Sequence, residues 1–322
     1  MLASVEQGRF LRNPCNKIRL ISFLAEALQT AGHVVKHAEN DADLLIVQTA
    51  IDMSPCGEHI TVVGNDTDLL VLFIHHVKSV NNIHVLHPSG NKKCEEVYNI
   101  RCVQDYFKDA KNTILFAHAV SGCDTTSAIF GKGKITSLNL LMSDEDLRAT
   151  VQVFYQQQSS YDVILSAGLK FLFKLYGSKD DVNDLNLLRF YMYHRKSAVQ
   201  PAHRMFSLAR LPPTDDSAAQ HIYRTYYQVQ TWLGQSLSPL DWGWKIVNGK
   251  MIPVSGLLPS APANLIKLIS CHCKKGCTKN CSCQRAAFKC SPMCGYCKEV
   301  NCKNSEQTND DTEGYGVLQE DF

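Results

Sequence analysis

Short apolar runs alternate with amphipathic stretches along the first 140 residues. The runs HVVKHA (33–38), ITVVGN (60–65) and ILFAHAVSG (114–122) predict strands, and NNIHVLHP with KCEEVYNI predicts a strand pair around a turn at 89–91. Helical stretches lie between them and begin near Asn13, near 41, near 66 and near 101. This alternation predicts an α/β fold with a parallel sheet and helices on both of its faces.

The pattern then becomes helical from about 136 to 235, with helix starts expected at Ser143 and Thr214. The turns DWGW, MIPV and LLPSAPAN favour a partly ordered linker after this region. We therefore expect five regions along the chain. They are a 1–140 α/β domain, a 141–237 helical region, a 238–265 linker, a 266–304 cysteine-rich module and a 305–322 disordered acidic tail.

Composition narrows the class of protein. The 322 residues are 45% hydrophobic, which is typical of a globular protein. We find no secretory signal and no run of eighteen apolar residues, so secretion and membrane insertion are not expected. The net charge of +2 hides an uneven distribution, because 305–322 has six acidic residues and no Lys or Arg.

Nine of the fourteen cysteines fall between 271 and 302. They are Cys271, Cys273, Cys277, Cys281, Cys283, Cys290, Cys294, Cys297 and Cys302. A segment this short with almost no aliphatic residues needs a crosslink to fold, through either disulfides or metal. The expected reducing compartment and the odd number of thiols favour metal, and zinc is the ion that prefers four thiolates.

Nine cysteines fit three Zn²⁺ ions if three sulfurs each bridge two metals, or two Zn²⁺ ions in separate four-cysteine sites with one spare thiol. The 271–304 stretch has seven basic residues and one acidic residue, Glu299. Those that we expect to contact nucleic-acid phosphates are Lys274, Lys275, Lys279 and Arg285. The alternative is that these charges only offset the thiolates and keep the module soluble.

The run C-x-C-x3-C-x3-C-x-C-x6-C-x3-C resembles the tesmin-type CXC cysteine-rich domain. The resemblance covers about 32 residues. It implies a zinc-binding module, and in several families of this type the module binds DNA.

Acidic residues follow the predicted strands. They are Asp41 and Asp43 after the first strand, Asp66 and Asp68 after the second, and Asp124 after the run at 114–122. Carboxylates converging on one sheet edge would repel unless cations such as Mg²⁺ or Mn²⁺ neutralised them. A pair of such ions can activate water and stabilise a leaving oxygen at a phosphate. The alternative is that each Asp only caps a helix.

The order Asp41-Ala42-Asp43, Asp66-Thr67-Asp68, Gly122-Cys123-Asp124 and then GKGK resembles the PIN-like nuclease fold, and within it the flap-endonuclease and XPG group. The resemblance implies a two-ion, structure-selective phosphodiesterase. It also implies duplex phosphate contacts at Gly131, Lys132, Gly133 and Lys134, for which the alternative is an ordinary solvated turn. The family's first strand has no counterpart here, so an N-terminally incomplete sheet is expected.

A PIN-like region joined to a CXC module is similar in layout to mobile-element-derived animal proteins. We therefore expect a nucleic-acid-binding protein, most simply a DNA-binding one, located in the nucleus or otherwise the cytoplasm. A Mg²⁺-dependent endonuclease and a non-catalytic protein adaptor are the alternatives.

Overall fold

The chain divides into two compact units, Met1–Ser255 and Gly256–Phe322. The boundary expected at 140/141 therefore lies inside the first unit, and the expected cysteine-rich module lies in the second. The structure is a computed structural model. It describes residues 7–38, 42–54, 58–88, 95–178, 182–199, 207–257, 271–274, 276–277, 281–285, 290, 294–297 and 302.

Helices dominate the first unit. They are α1 Gln7–Leu11, α2 Pro14–Thr30, α3 Asp43–Asp52, α4 Thr67–His76, α5 Ile100–Phe107, α6 Ile114–Ser121, α7 Lys134–Ser143, α8 Glu145–Val151, α9 Tyr161–Leu175, α10 Leu185–Val199 and α11 Asp215–Trp232. The strands are β1 His59–Val63, β2 Asn82–His87, β3 Glu96–Asn99, β4 Trp244–Val247 and β5 Lys250–Pro253. The second unit contains one short helix among its described residues, α12 Ser282–Arg285.

Strands β1, β2 and β3 form a small mixed sheet in that order. β1 pairs with β2 in parallel, with Ile60 opposite Ile83, whereas β2 and β3 are antiparallel. The predicted strand at 60–65 and the predicted strand pair are confirmed. The wider parallel sheet with helices on both faces is not what the described residues form, since only β1 and β2 are parallel.

The strand predicted at 114–122 is wrong, because Ile114–Ser121 is the helix α6 and all eight of its residues are buried. A continuous apolar run fits a buried helix as well as a buried strand, since neither element has a polar face. α6 packs against α4, α7 and α11. It ends at Gly122, whose φ of +116° suits glycine, and a Cβ there would lie 2.6 Å from the Ala128 Cα.

The strand predicted at 33–38 is also wrong. These residues carry no strand hydrogen bonds in the described structure, and Val34 is 90% exposed. The preceding helix α2 is exposed as well. Ala25 is its one buried residue, while Ile18 and Phe23 are 62% and 68% exposed. The N-terminal segment therefore packs only loosely on the core of the unit.

The core lies between α6, α9 and α11. The Phe116 ring packs on Phe154 and Phe171, with centroid separations of 4.5 and 4.9 Å. Gly168 on α9 allows close contact with α11, because a Cβ there would lie 2.6 Å from the Ile222 side chain. These contacts enclose α6 among the surrounding helices.

Helix starts follow the expected capping chemistry with one correction. Asn13 accepts from the Cys15 N–H at 3.0 Å, and Thr214 accepts from the Ser217 N–H at 3.3 Å, as predicted. The cap expected at Ser143 is wrong, since Asp144 accepts from the Leu147 N–H at 2.9 Å. Ser143 instead ends the preceding helix, α7.

Part of the expected linker is ordered. Strands β4 and β5 form a hairpin in which the turn residues Asn248 and Gly249 have φ values of +52° and +72°. An Asn-Gly pair is a strong hairpin signal, because both residues tolerate positive φ. Arg224 Nη1 on α11 donates to the carbonyls of Gly243 and Val254 at 3.2 and 2.7 Å, so the hairpin is attached to this helix.

Candidate metal centre

The described part of the second unit is built around sulfur. Eight of the nine predicted cysteines are buried, and Cys273 is half-buried. None of these nine described cysteines forms a disulfide, and together they form one apolar cluster. This cluster replaces the aliphatic core that the segment lacks, as the sequence predicted.

The sulfur separations fit a tetrahedral thiolate site. The Sγ–Sγ distances are 3.6 Å for Cys271–Cys277, 3.5 Å for Cys277–Cys290 and 3.8 Å for Cys281–Cys290. A disulfide would need about 2.05 Å. Four sulfurs at about 2.3 Å from one zinc ion are separated by roughly 3.8 Å along each tetrahedral edge. The donor set and the spacing therefore both fit zinc.

Three four-sulfur groups lie within the cluster, each with all its sulfurs within 4.8 Å of one another. The groups are Cys271/Cys281/Cys283/Cys290, Cys271/Cys277/Cys290/Cys297 and Cys271/Cys273/Cys277/Cys281. Every pair of groups shares two sulfurs. Two separate four-cysteine sites would require two groups without a common member, and these three do not offer such a pair.

The remaining two cysteines lie against the groups. Cys294 Sγ is 3.6 Å from Cys283 Sγ. Cys302 is 2% exposed, and burial together with hydrogen bonds to Cys290 and Cys302 raises the pKa of Cys277. All nine sulfurs thus belong to one continuous set of donors.

Local backbone geometry favours a thiolate at Cys281. It precedes α12, and its carbonyl accepts from the Arg285 N–H at 2.9 Å. Burial raises the pKa of this thiol, but the N–H of Gln284 and other hydrogen bonds outweigh burial and lower the pKa to about 6. By contrast, burial and sulfur neighbours raise the pKa of Cys273 to about 11. Metal binding would release protons from such thiols, so affinity should rise with pH.

The predicted phosphate-contacting residues are only partly described. Lys274 and Arg285 are exposed beside buried cysteines. Lys275 and Lys279 lie outside the described residues. Two basic side chains beside the cysteine cluster are therefore exposed to solvent.

The predicted acidic residues form no group of three ligand atoms within 4.8 Å of one another in the described part of the chain. Asp41 lies outside it, Asp43 opens α3, and Asp66 caps α4 by accepting from the Asp68 N–H at 2.9 Å. Asp124 lies in a turn after α6 rather than after a strand. Among the described residues, His, Cys, Asp and Glu form groups of three or more only at the cysteines. A two-ion site at these carboxylates stays a prediction.

Asp68 has a partner that the sequence did not indicate. His118 Nε2 on α6 donates to Asp68 Oδ1 at 2.6 Å, and the His118 side chain is 2% exposed. Burial raises the pKa of Asp68, but the hydrogen bond and charge of His118, with the charge of Lys134, outweigh it and lower the pKa. Fifty residues separate the pair, so no local spacing could have revealed it.

The GKGK segment forms a turn and a helix start. Gly131 has a φ of +69°, Gly133 precedes α7, and Lys134 is its first residue. Lys132 Nζ lies 5.6 Å from the centre of the Tyr176 ring. Duplex contacts at these four residues remain a prediction.

In comparisons with known proteins, no family model, no curated protein and no solved structure matches this chain. Among the described helices, none is both long and apolar enough to cross a bilayer.

Proposed function

We propose that residues 266–304 form a zinc module that binds nucleic acid through phosphate contacts. The observation that carries the proposal is the overlap of the three four-sulfur groups. Overlap lets nine thiolates fill the twelve coordination positions of three zinc ions. A metal-bound core of this kind would hold the module's basic side chains on a rigid surface.

The overlap also supports a proposed role for each individual sulfur. Cys277, Cys281 and Cys290 each belong to two groups, and each pair of groups has one of them in common. They would therefore bridge the three ions. The terminal pairs would be Cys271 with Cys273, Cys283 with Cys294, and Cys297 with Cys302. Cys271 lies in all three groups, but we take it as terminal, because nine thiolates fill twelve coordination positions with three bridging sulfurs and a fourth would exceed them.

Charge supports a polyanion as the partner. The seven basic residues and one acidic residue of 271–304 give a formal +6 before the thiolates are counted. Three zinc ions with nine thiolates carry about −3, so the module keeps about +3. Cations on a rigid scaffold suit phosphates, and they position a protein on nucleic acid without reading its sequence.

A zinc count tests the metal part of the proposal. Elemental analysis of the purified, reduced full-length chain should give about three zinc ions per chain. A value near two would indicate two separate four-cysteine sites in place of bridging sulfurs. Absence of bound zinc, together with unchanged spectra after chelation, would refute the metal centre altogether.

Salt-dependent affinity for a labelled random-sequence DNA duplex tests the binding part. The double variant Lys274→Ala/Arg285→Ala should bind more weakly, and its log–log salt slope should shrink by about 0.9 per lost phosphate contact. The matched control is Lys245→Ala/Lys250→Ala, which removes two exposed cations from the β4–β5 hairpin. A wild-type slope near zero would favour the adaptor alternative.

Phosphodiester cleavage is a less supported alternative, since the described carboxylates do not form a group of three. Mg²⁺-dependent cleavage of flap and hairpin DNA, lost on substitution of Asp66, would establish it. Its absence at high enzyme concentration would leave binding as the function.

A further inference from the structure

A cavity of about 620 Å³ lies in the first unit, and two arginines line it. Its walls come from the loop before α7, the end of α9, α10, α11 and the end of the hairpin. This volume lies within the range of pockets that hold small ligands. All of its described lining residues belong to the first unit.

Arg224 is the central feature of this cavity. It is 5% exposed, and it lines the cavity from α11. Its Nη1 donates to the hairpin carbonyls of Gly243 and Val254, and the hydrogen bonds that the structure describes for this side chain use Nη1 alone. Within the described residues, no carboxylate lies within 4.0 Å of its nitrogens. A buried cation without a counter-charge is costly, and an anionic ligand would remove that cost.

Arg189 lines the same cavity from α10. Its Nη1 donates to the Pro212 carbonyl at 2.5 Å, and it likewise has no carboxylate partner in the described part of the chain. The described lining contains neither Asp nor Glu. Two guanidinium groups in an acid-free cavity form a typical setting for phosphate, which accepts paired N–H bonds.

Aromatic rings give the cavity a second property. Phe130 and Tyr176 line it, and a cation lies over each ring. The Arg210 Cζ is 6.0 Å from the Phe130 ring centre, and the Lys132 Nζ is 5.6 Å from that of Tyr176. These contacts add positive charge around the walls. Aromatic and guanidinium surfaces together suit the planar base of a nucleotide.

We propose that this cavity binds a nucleotide phosphate, with the phosphate on Arg189 and Arg224 and the base against the Phe130 and Tyr176 walls. The ligand is either a free mononucleotide or the phosphorylated end of a strand, which present the same chemistry. The proposal does not depend on the zinc module, because every residue that carries it lies in the first unit.

Calorimetric titration of the full-length chain tests the site with adenosine monophosphate, adenosine and inorganic phosphate. We expect adenosine monophosphate to bind at least about tenfold more tightly than adenosine, because adenosine lacks the charged group. Arg189→Gln should lower the affinity for adenosine monophosphate by at least about tenfold. The control Arg195→Gln, an exposed cation on the same helix, should leave its affinity unchanged.

Equal binding of adenosine and adenosine monophosphate, or no binding of either, would overturn the proposal, as would wild-type affinity in Arg189→Gln. Arg224→Gln is a second variant, interpreted only if its circular dichroism matches the wild type, since Arg224 also holds the hairpin. An oligonucleotide with and without a 5′-phosphate separates the two sources. If the 5′-phosphate raises the affinity for the oligonucleotide and Arg189→Gln abolishes that increase, the ligand is a strand end. If the 5′-phosphate does not raise the affinity, the ligand is the free nucleotide.

Discussion

Substitution of a shared sulfur should cost the module more zinc than substitution of an unshared one. Cys281 belongs to two four-sulfur groups, whereas Cys273 belongs to one. Cys281→Ser therefore removes one coordination position from each of two ions, and Cys273→Ser removes one position from one ion. Starting from three ions, we expect about one zinc per chain in Cys281→Ser and about two in Cys273→Ser, since serine is a poor zinc ligand.

The assay is elemental analysis of gel-filtered, reduced protein, with zinc expressed per chain by amino-acid analysis. Cys15→Ser is the control, because Cys15 is an exposed thiol on α2 in the first unit, and it should keep the wild-type zinc count. Equal zinc loss in Cys281→Ser and Cys273→Ser would refute sulfur sharing. A larger loss in Cys273→Ser would show that the bridging and terminal roles are assigned the wrong way round.

Three further predictions concern the first unit. Gly168→Ala should lower the free energy of unfolding in urea by about 1–2 kcal/mol, because its Cβ would lie 2.6 Å from Ile222. In an Ile222→Ala background the same change should raise the free energy of unfolding. A lower free energy of unfolding in that background would contradict the packing argument. Asp68→Asn should destabilise by about 1.5–3 kcal/mol at neutral pH by weakening the bond from His118. Because the folded-state pKa of Asp68 is lowered from its ordinary 3.8, this difference should persist above that pH and vanish as the pH falls well below it, and a difference that grows in acid would refute the reasoning. Asp66→Ala should cost about 1 kcal/mol through the lost helix cap while Asp66→Asn costs a few tenths, and equal losses in thermal unfolding would exclude the capping role.

Local signals predicted much of the secondary structure. The caps at Asn13 and Thr214, strand β1 and the β2–β3 pair follow from turn residues and alternation, which act over a few positions. The α6 helix did not follow, because an all-apolar run has no face from which to choose a period. The β4–β5 hairpin carried an Asn248–Gly249 signal that the proline-rich surroundings concealed.

The candidate site, like the fold, was only partly predictable from the sequence. The cysteine spacing by itself predicted a common sulfur cluster, since nine thiols in 32 residues have few other ways to be buried. The sequence left open whether and which sulfurs are shared. That choice, the Asp68–His118 pair and the cavity around Arg224 depend on residues brought together by tertiary packing. A single sequence records no such distances.

Helix α2 will influence how this protein behaves when it is concentrated. Its large apolar side chains face water. A contact that covers them, including a contact with another copy of this chain, is therefore stabilised by roughly 25 cal/mol per Å² of apolar surface buried. Sulfate and other excluded salts strengthen that attraction, whereas cooling weakens it. Colloidal behaviour should therefore depend on solvent conditions that leave the cysteine cluster untouched.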